Sequence, residues 1–362
     1  MERTVKIGII GCGGIANSKH MPSLSKLENV QLVAFCDLIE ERAVKAAEKF
    51  GTEDAKVYVD YKELLKDPEI EVVHVCTPNR SHSFITVDAL HAGKHVMCEK
   101  PMAINYEEAK KMLDAAKETG KKLTIGYQNR QRPECNYLKR ACEAGELGEI
   151  YYAKAHAIRR RAVPTWGVFL NEYEQGGGPL IDIGTHSLDL TLWMMDNYEP
   201  EMVVGSVYKK LGDQRETANA WGDWDTEKFT VEDSAFGFIK MKNGATIVLE
   251  SSWALNSLDT DEAKCSLCGT KAGADMKGPT NLRINGVKYN RQYTETPVFE
   301  PGGVDFYAGE NEPPAEIEAR LWIDAVVNDK EVVVKPEQAI VVTQILEAIY
   351  KSAKENKPVY FD

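Results

Sequence analysis

The fold is decided by residues 5–16, which read Val5-Lys6-Ile7-Gly8-Ile9-Ile10-Gly11-Cys12-Gly13-Gly14-Ile15-Ala16. An apolar run with the length of a buried strand leads directly into the glycine spacing GxGxxA. Glycine permits a tight turn and lets the backbone approach a pyrophosphate, and a helix starting here offers unpaired N–H groups to that anion. The stretch predicts a dinucleotide site at Gly11, Gly13, Gly14 and Ile15. A strand, turn and helix without a ligand is the alternative.

Outward from this stretch, short apolar runs alternate with amphipathic helical segments up to about residue 125. The predicted strands are 5–10, 30–36, 72–76, 95–98 and 122–125. The predicted helices are 15–27, 39–50, 61–65, 81–92 and 106–119. Strands that alternate with helices in this way are typical of a parallel sheet covered on both faces. We therefore predict an α/β, doubly wound Rossmann domain over residues 1–125.

Beyond residue 125 the pattern changes. Two helices, 132–144 and 180–195, precede long alternating segments with hairpin signals at Asn243-Gly244 and Asn285-Gly286. Two more helices are predicted at 314–328 and 335–356. Residues 126–362 therefore read as a second, α+β domain with a mostly antiparallel sheet.

The composition matches an ordinary globular protein, with 43% hydrophobic and 28% charged residues. A formal net charge of -12 repels phosphate backbones and acidic lipids, so we expect no nucleic acid and no membrane as partner. No apolar run approaches the roughly 20 residues of a membrane span and no export signal is present, so we expect a cytoplasmic protein. The eight cysteines are scattered without a His cluster, which predicts reduced thiols and no metal site.

The second predicted strand ends at Asp37, roughly 20 residues past the fingerprint, where a carboxylate accepts hydrogen bonds from adenosine ribose hydroxyls. The carboxylate would repel a 2′-phosphate, and Leu38 and Ile39 follow it instead of an arginine. The pattern therefore favours NAD over NADP. The alternative is that Asp37 caps the helix that follows.

Two further strand ends should line the same crevice. Thr77, Pro78 and Asn79 follow one strand and lead to His82, where a capping or local hydrogen-bonding role is the alternative. Glu99 and Lys100 follow the next strand, directly before a proline that restricts the backbone. We predict that all six residues contribute to the cofactor site, with Lys100 near the reacting centre. A solvated lysine at a sheet rim is the plainer interpretation.

The residues from Gly176 to Asp189 read GGGPLIDIGTHSLD. If a helix begins near residue 179, then Asp182, His186 and Asp189 share one face of an otherwise apolar helix. Such a polar stripe indicates either a cleft wall or a buried His–Asp pair that ties two elements together. Gly184 within the helix costs about 1 kcal/mol relative to alanine, which predicts the close approach of another group.

These motifs together resemble the Gfo/Idh/MocA oxidoreductase family, and the resemblance covers essentially the whole chain: the fingerprint, the Thr77-Pro78-Asn79 turn, Glu99-Lys100-Pro101 and the GGGxxxDxGxHxxD stretch. It implies a Rossmann domain followed by an open-faced, mostly antiparallel sheet domain, NAD(P) as cofactor, and a homo-oligomer. It also implies that Lys100, Asp182 and His186 are catalytic.

The family resemblance implies hydride transfer between NAD and a secondary carbinol of a sugar, glycoside or cyclitol. His186 titrates nearest neutrality and is the predicted base, Asp182 would orient the site, and Lys100 would hold the reacting oxygen. Lys100 as the base is the alternative assignment.

Substrate contacts are predicted at Tyr127, Arg130, Arg159 and Trp166, in addition to Asp182 and His186, because aromatic rings and multidentate donors suit a polyhydroxylated ring. The plainer interpretation is that Trp166 packs and the arginines pair with acidic residues. The region is similar to family members that oxidise the 3-hydroxyl of glucosides, including C-glycosides.

Three other functions stay open at this point: an NAD-dependent glycoside-cleaving enzyme that uses transient oxidation, an inositol dehydrogenase, and a non-catalytic NAD-sensing protein. The intact Lys100, Asp182 and His186 argue against the sensor.

Overall fold

The computed structural model describes residues 3–277, 281–299 and 312–361. Its strands are β1 (Val5–Ile10), β2 (Val30–Cys36), β3 (Lys56–Tyr58), β4 (Val72–Val75), β5 (His95–Cys98), β6 (Leu123–Ile125), β7 (Ile150–Ile158), β8 (Pro200–Tyr208), β9 (Ser234–Met241), β10 (Thr246–Ser252), β11 (Glu262–Gly269), β12 (Ala272–Lys277), β13 (Asn281–Lys288), β14 (Arg291–Glu295) and β15 (Val359–Tyr360).

The α-helices are α1 (Met21–Leu24), α2 (Glu40–Phe50), α3 (Tyr61–Leu65), α4 (His82–His91), α5 (Tyr106–Thr119), α6 (Pro133–Glu143), α7 (Glu172–Gln175), α8 (Thr185–Met195), α9 (Pro314–Val327) and α10 (Pro336–Glu355). Two π-helical turns, Ala16–His20 and Leu180–Gly184, lead into α1 and α8. Two 3-10 turns are present at Asn79–Ser81 and Gln128–Gln131. Within the described ranges, no helix is long and apolar enough to cross a lipid bilayer.

The chain divides into two compact units. Unit 1 comprises Met1–Gln128 and Glu312–Ile340, and unit 2 comprises Asn129–Asn311 and Val341–Asp362. The predicted second domain, residues 126–362, includes the whole segment after residue 312. In the structure the first part of that segment, with α9, belongs to unit 1.

Unit 1 is built on a six-stranded parallel sheet with the order β3-β2-β1-β4-β5-β6. This order confirms the doubly wound Rossmann fold. The short edge strand β3 was not predicted, since Lys56–Tyr58 is only partly buried and carries no apolar run. The strand order reverses between β1 and β4, so the loops at their carboxyl ends diverge and leave a crevice there.

Helix α9 completes the core of unit 1. Its residues Ala319, Trp322, Ile323 and Val326 are buried in one cluster with residues of β1, β2 and α1. The apolar spacing of α9 was visible in the sequence, but the sheet against which it packs was not. The spacing of apolar residues in a helix predicts which face is buried, but it does not predict the element against which that face packs.

Unit 2 is built on a nine-stranded sheet with the order β14-β13-β12-β11-β7-β10-β9-β8-β15. The pair β7 and β10 is parallel and the other neighbouring pairs are antiparallel, which confirms the mostly antiparallel prediction. Helix α8 is almost entirely buried and packs against β7 and β11. The cross-strand pair Val204 and Phe238 is exposed, as expected for a sheet with one open face.

One of the two predicted hairpins was wrong. Asn243-Gly244 does join β9 to β10, and Gly244 has a φ of 90°. Asn285-Gly286 lies instead inside β13, where Gly286 pairs with Tyr293 and a Cβ on the glycine would come within 2.9 Å of that ring. The turn is at Tyr289-Asn290, both at positive φ. The glycine therefore makes room for a cross-strand aromatic ring and not for a turn.

We expect Trp322→Ala to lower the free energy of unfolding by about 3–5 kcal/mol, because it leaves a cavity in the core of unit 1. Urea denaturation measures this change. Arg320→Ala, on the exposed face of the same helix, is the matched control. Equal stability of the two variants would contradict the packing of α9 described above.

Candidate active site

The fingerprint loop has the geometry of a phosphate cradle. Gly11 has a φ of +91°, and a Cβ there would lie 2.6 Å from the carbonyl oxygen of Cys76, so only glycine fits. At Gly13 and Gly14, an added Cβ would meet no described atom within 4 Å. This open space lets a pyrophosphate approach the backbone, and Ile15, at the start of the π-helical turn, is exposed beside it. The loop therefore fits a dinucleotide.

Asp37 holds this loop in place. Its Oδ2 accepts a hydrogen bond from the backbone N–H of Cys12 at 2.9 Å, and its Oδ1 accepts one from Ile39 at 2.9 Å. The capping alternative for Asp37 was wrong: the N-cap of α2 is Ile39, which no side chain caps, and the bond from Ile39 to Asp37 is a turn before the helix. A carboxylate has about four lone-pair sites, so these two bonds leave capacity for ribose hydroxyls.

His82 ties together the two loops that follow β4 and β5. The ring is fully buried, with Nδ1 2.8 Å from the carbonyl oxygen of Pro101 and Nε2 2.9 Å from that of Thr77. Burial lowers the pKa of His82, and the two carbonyl contacts oppose this shift. Its cofactor role stays a prediction, and the placement favours an indirect role through Thr77 and through Pro101, whose peptide bond with Lys100 is cis.

Lys100 itself is partly buried at the carboxyl end of β5, and Glu99 beside it is buried. Oε2 of Glu99 accepts the backbone N–H of Lys100 at 3.0 Å. Oε1 accepts from Nζ of Lys19 at 2.7 Å and from Nε2 of His20 at 2.8 Å. Burial alone would raise the pKa of Glu99, but Lys19 and His20 outweigh it and hold the pKa well below its ordinary value.

The ammonium of Lys19 has three acceptors for its three N–H bonds: Glu99, Glu318 of α9 at 2.9 Å, and Gln128 at 3.2 Å. Burial lowers the pKa of Lys19, but the two glutamates outweigh it and raise the pKa above its ordinary value. Burial raises the pKa of Glu318, whose Oε1 is buried with no hydrogen-bond partner within the described part of the chain.

The buried network of Lys19, His20, Glu99 and Glu318 was missed by the sequence analysis. The available signal was a Lys-His pair, Lys19-His20, in the helix after the fingerprint, which must pack on an apolar sheet. Glu318 gave no such signal because its partner is distant in sequence. The network links the backbone of the predicted catalytic Lys100 to the π-helical turn Ala16–His20 and to α9.

Tyr127 and Arg130 are both fully buried. In unit 2, Arg130 makes two hydrogen bonds to the Asp189 carboxylate, at 2.6 and 3.0 Å, and its guanidinium stacks over Trp193. Burial raises the pKa of Asp189, and Arg130 opposes that shift. Substrate contact by Tyr127 and Arg130 stays a prediction, and this placement weighs against it for Arg130. Asp189 anchors α8 through this buried pair.

The predicted catalytic helix begins with π-helical geometry at Leu180–Gly184 before continuing as α8. Such π segments are frequently found at functional sites. Asp182 lies in this segment, and its Oδ2 accepts a hydrogen bond from Nε1 of Trp253 at 3.0 Å. A Cβ on Gly184 would lie 3.1 Å from Oγ of Ser251, which confirms the predicted close approach.

His186 follows one turn later and is 8% exposed. Its neighbour Ser187 donates a hydrogen bond to the carbonyl oxygen of His156 on β7 at 2.5 Å. Helix α8 is therefore fastened to the sheet next to His186. Asp182 and His186 lie on one rigid element, with Trp253 fixing the carboxylate.

A buried carboxylate anchors the start of this element. Glu232 accepts the backbone N–H groups of Gly178 at 2.8 Å and Leu180 at 3.1 Å, and the hydroxyl of Tyr350 at 2.8 Å. A negative charge at a helix N-terminus is favourable because of the helix dipole. Burial raises the pKa of Glu232, and the two N–H groups and Tyr350 oppose that shift.

The glycine run at 176–178 is explained by this anchor. A Cβ on Gly177 would lie 2.0 Å from Oη of Tyr350, and a Cβ on Gly178 would lie 2.4 Å from the carbonyl oxygen of Glu232. Gly176 ends α7 in the left-handed conformation, at a φ of 79°. The sequence analysis singled out the glycines but missed Glu232 and Tyr350.

Arg159 and Trp166, the remaining predicted substrate contacts, lie in unit 2. Arg159 makes a bidentate pair with Glu262 at 2.5 and 2.6 Å and stacks over Trp221. Burial lowers the pKa of Arg159, but Glu262 and, to a smaller extent, Asp182 outweigh it and raise the pKa above its ordinary value. Trp166 is 51% exposed. Over residues 3–277, 281–299 and 312–361, no group of three His, Cys, Asp or Glu side chains is arranged to hold a metal.

We expect Glu232→Ala to lower both stability and turnover, because it leaves two buried backbone N–H groups and a tyrosine hydroxyl without their acceptor. The expected loss of stability is about 1–3 kcal/mol. Thermal unfolding and steady-state rates measure the two effects. Glu227→Ala, at an exposed position, is the control, and a Glu232→Ala protein that behaves like this control would contradict the anchor.

We expect the stability difference between Glu318→Gln and wild type to depend on pH. The pKa of Glu318 is raised above its ordinary value of 4.5, so the folded wild type binds this proton more tightly than the unfolded chain. The stability that this tighter proton binding contributes is fully present at pH values below the pKa of Glu318 in the unfolded chain. It is lost as the pH rises through the pKa of Glu318 in the folded protein. The variant, which keeps an acceptor for Lys19, should therefore gain stability relative to wild type as pH rises.

Urea denaturation from acid to neutral pH measures this difference. Glu316→Gln, on the same helix and paired with Lys26, controls for the loss of one glutamate. A difference between Glu318→Gln and wild type that stays constant with pH would refute the shift.

The chain is similar to known oxidoreductases. An oxidoreductase family model described as an NAD-binding Rossmann fold matches residues 5–127, and the model of the same family's C-terminal alpha/beta domain matches residues 139–361. D-Glucoside 3-dehydrogenase of Escherichia coli (strain K12) is 36% identical over 97% of this chain and 95% of its own length. Myo-inositol 2-dehydrogenase of Thermotoga maritima is 31% identical over 68% of each chain.

Among solved structures, levoglucosan dehydrogenase in complex with NADH and levoglucosan has a TM-score of 0.84 at 22% identity and covers 99% of both chains. This likeness concerns the fold. The two family models together span most of the sequence and identify the family. The chain belongs to the Gfo/Idh/MocA oxidoreductase family, with an NAD-binding Rossmann domain at its N-terminus.

Proposed function

We propose that this protein transfers a hydride between NAD and a secondary carbinol of a sugar, glycoside or cyclitol. The observation that carries the proposal is the anchored element with Asp182 and His186, whose start is held by Glu232 and whose carboxylate is held by Trp253. An acid–base pair on a rigid, buried helix is what a proton transfer needs. The dinucleotide cradle and Lys100 lie in unit 1.

The reaction has two parts that must balance. The carbinol carbon gives up a hydride, its hydroxyl gives up a proton, and a carbonyl group forms. NAD, when bound, supplies the hydride acceptor. The protein must accept the proton, hold the oxygen and exclude water.

His186 is the proposed base, because imidazole changes its charge nearest to neutral pH. Asp182 orients the site and stabilises the positive charge that His186 gains. Lys100 stabilises the developing negative charge on the reacting oxygen. The alternative, in which Lys100 takes the proton, assigns the same three residues different roles.

We propose a glucoside, oxidised at its 3-hydroxyl, as the more specific substrate. The nearly full-length similarity to the Escherichia coli D-glucoside 3-dehydrogenase supports this choice over a cyclitol. Trp166 is a proposed substrate contact in unit 2, since a half-exposed indole offers an apolar face to a ring of the substrate. Substrate contact by Arg159, whose guanidinium is paired with Glu262, stays a prediction. A cytoplasmic location and a homo-oligomeric state stay predictions.

We expect His186→Ala to reduce NADH formation with methyl glucoside about 10²–10⁴-fold, the usual contribution of general acid–base catalysis. The affinity for NAD, measured by calorimetry, should change little because His186 belongs to unit 2. His91→Ala, an exposed histidine, is the control.

Unchanged turnover in His186→Ala would remove this residue from the mechanism. Glucose, glucosides and myo-inositol are compared in the same assay to rank the substrates. Cleavage of a glucoside without accumulation of NADH would contradict net oxidation and favour the glycoside-cleaving reaction. NAD binding without turnover of any member of this panel would favour the sensing role.

A further inference from the structure

The long connection between β8 and β9, residues 209–233, contains no helix or strand. It is nevertheless well ordered by its own contacts. The carboxylate of Asp233 accepts the backbone N–H groups of Lys210, Leu211 and Gly212 at 2.6, 2.6 and 3.2 Å, and Nε1 of Trp224 donates to the carbonyl of Gly212 at 2.9 Å. Long irregular loops that are held this firmly are usually functional.

This connection is joined to the loop that carries Trp166. Asn219 exchanges two hydrogen bonds with the backbone of Val163, at 2.8 and 3.0 Å. The hydroxyl of Thr165 donates to the carbonyl oxygen of Trp221 at 2.9 Å. The two loops therefore form one built surface.

Trp166 and Trp221 meet on this surface. Their ring centroids are 4.9 Å apart and their planes are inclined by 80°. Both indoles stay about half exposed, at 51% and 45%. Two large apolar side chains held open at a right angle form a corner, the Trp166–Trp221 corner, that a flat ring can enter.

The corner is connected to Asp182 by edge-to-face ring contacts. Trp166 contacts Phe169 at a centroid distance of 5.9 Å, Phe169 contacts Trp253 at 6.4 Å, and Trp253 donates a hydrogen bond to Asp182. On the other side, the guanidinium of Arg159 lies over Trp221. Within unit 2, the corner is therefore linked to the Asp182 carboxylate through Phe169 and Trp253.

Three polar side chains near the corner are already engaged. Arg159 is paired with Glu262, Asn219 with Val163, and the hydroxyl of Thr165 with a backbone carbonyl. A second sugar ring would need free donors and acceptors for its hydroxyls, because a buried polar group without a partner is unfavourable. A planar apolar group needs only the two indole surfaces.

We infer that the Trp166–Trp221 corner is an aglycone subsite, which binds the aromatic aglycone of a glucoside while its sugar lies at Asp182 and His186. This inference rests on the proposed function for the position of the sugar. An aromatic ring can stack on one indole and present its edge to the other, and aromatic pairs of either geometry are favourable. The subsite makes aryl glucosides better substrates than alkyl glucosides.

The test compares phenyl glucoside with methyl glucoside in wild type and Trp221→Ala, by kcat/KM and, independently of turnover, by calorimetric Kd. We expect the preference for phenyl glucoside, as a ratio of either constant, to fall about tenfold in the variant. Trp221→Phe should retain most of the preference. Leu258→Ala, an exposed apolar residue, is the control for loss of apolar surface.

A preference that is unchanged in Trp221→Ala would overturn the inference. The inference would also be overturned if Trp221→Ala changed the oligomeric state while the preference for phenyl glucoside stayed the same. The two indoles would then belong to a contact between copies of the chain. If wild type binds phenyl glucoside preferentially and Trp221→Ala abolishes this preference, but no NADH forms, the subsite holds and the proposed function fails.

Discussion

The ion pair between Lys19 and Glu99 is the interaction on which unit 1 depends. It joins the helix after the dinucleotide fingerprint to the end of β5, and the second oxygen of Glu99 holds the backbone of Lys100. Breaking a buried pair by removing one partner costs about 3–5 kcal/mol, because the remaining charge is left uncompensated. The position of Lys100 is therefore coupled to the cradle for the cofactor and, through Glu318, to α9.

Unit 2 uses the same principle at the start of its predicted catalytic helix. Glu232 is buried, accepts two backbone N–H groups and one hydroxyl, and so fixes the end from which Asp182 projects. In each unit a buried, fully hydrogen-bonded carboxylate, Glu99 or Glu232, orients a predicted catalytic group. Neither carboxylate is itself predicted to react. Such supporting contacts determine how accurately a site is held, and they are as important as the reacting side chains.

The sequence was sufficient for the parts that rest on local patterns. The fingerprint, the strand–helix alternation and the helix with Asp182 and His186 follow from the spacing of glycines and apolar residues. It was insufficient where partners are distant: the Glu318 contact, the packing of α9 in unit 1, and the anchor at Glu232 and Tyr350. Asn285-Gly286 was misread for the same reason, because the neighbour that requires a glycine there is the ring of Tyr293 on the next strand.

In the proposed reaction, hydride passes from carbon 3 of a glucoside to NAD. The most direct measurement uses methyl glucoside deuterated at carbon 3, followed by mass spectrometry of the reduced cofactor. We expect the deuterium to appear in the reduced cofactor, and we expect reduced cofactor to form more slowly than with unlabelled substrate. Reduced cofactor without the label, or cleaved glucoside without any reduced cofactor, would contradict the proposed reaction.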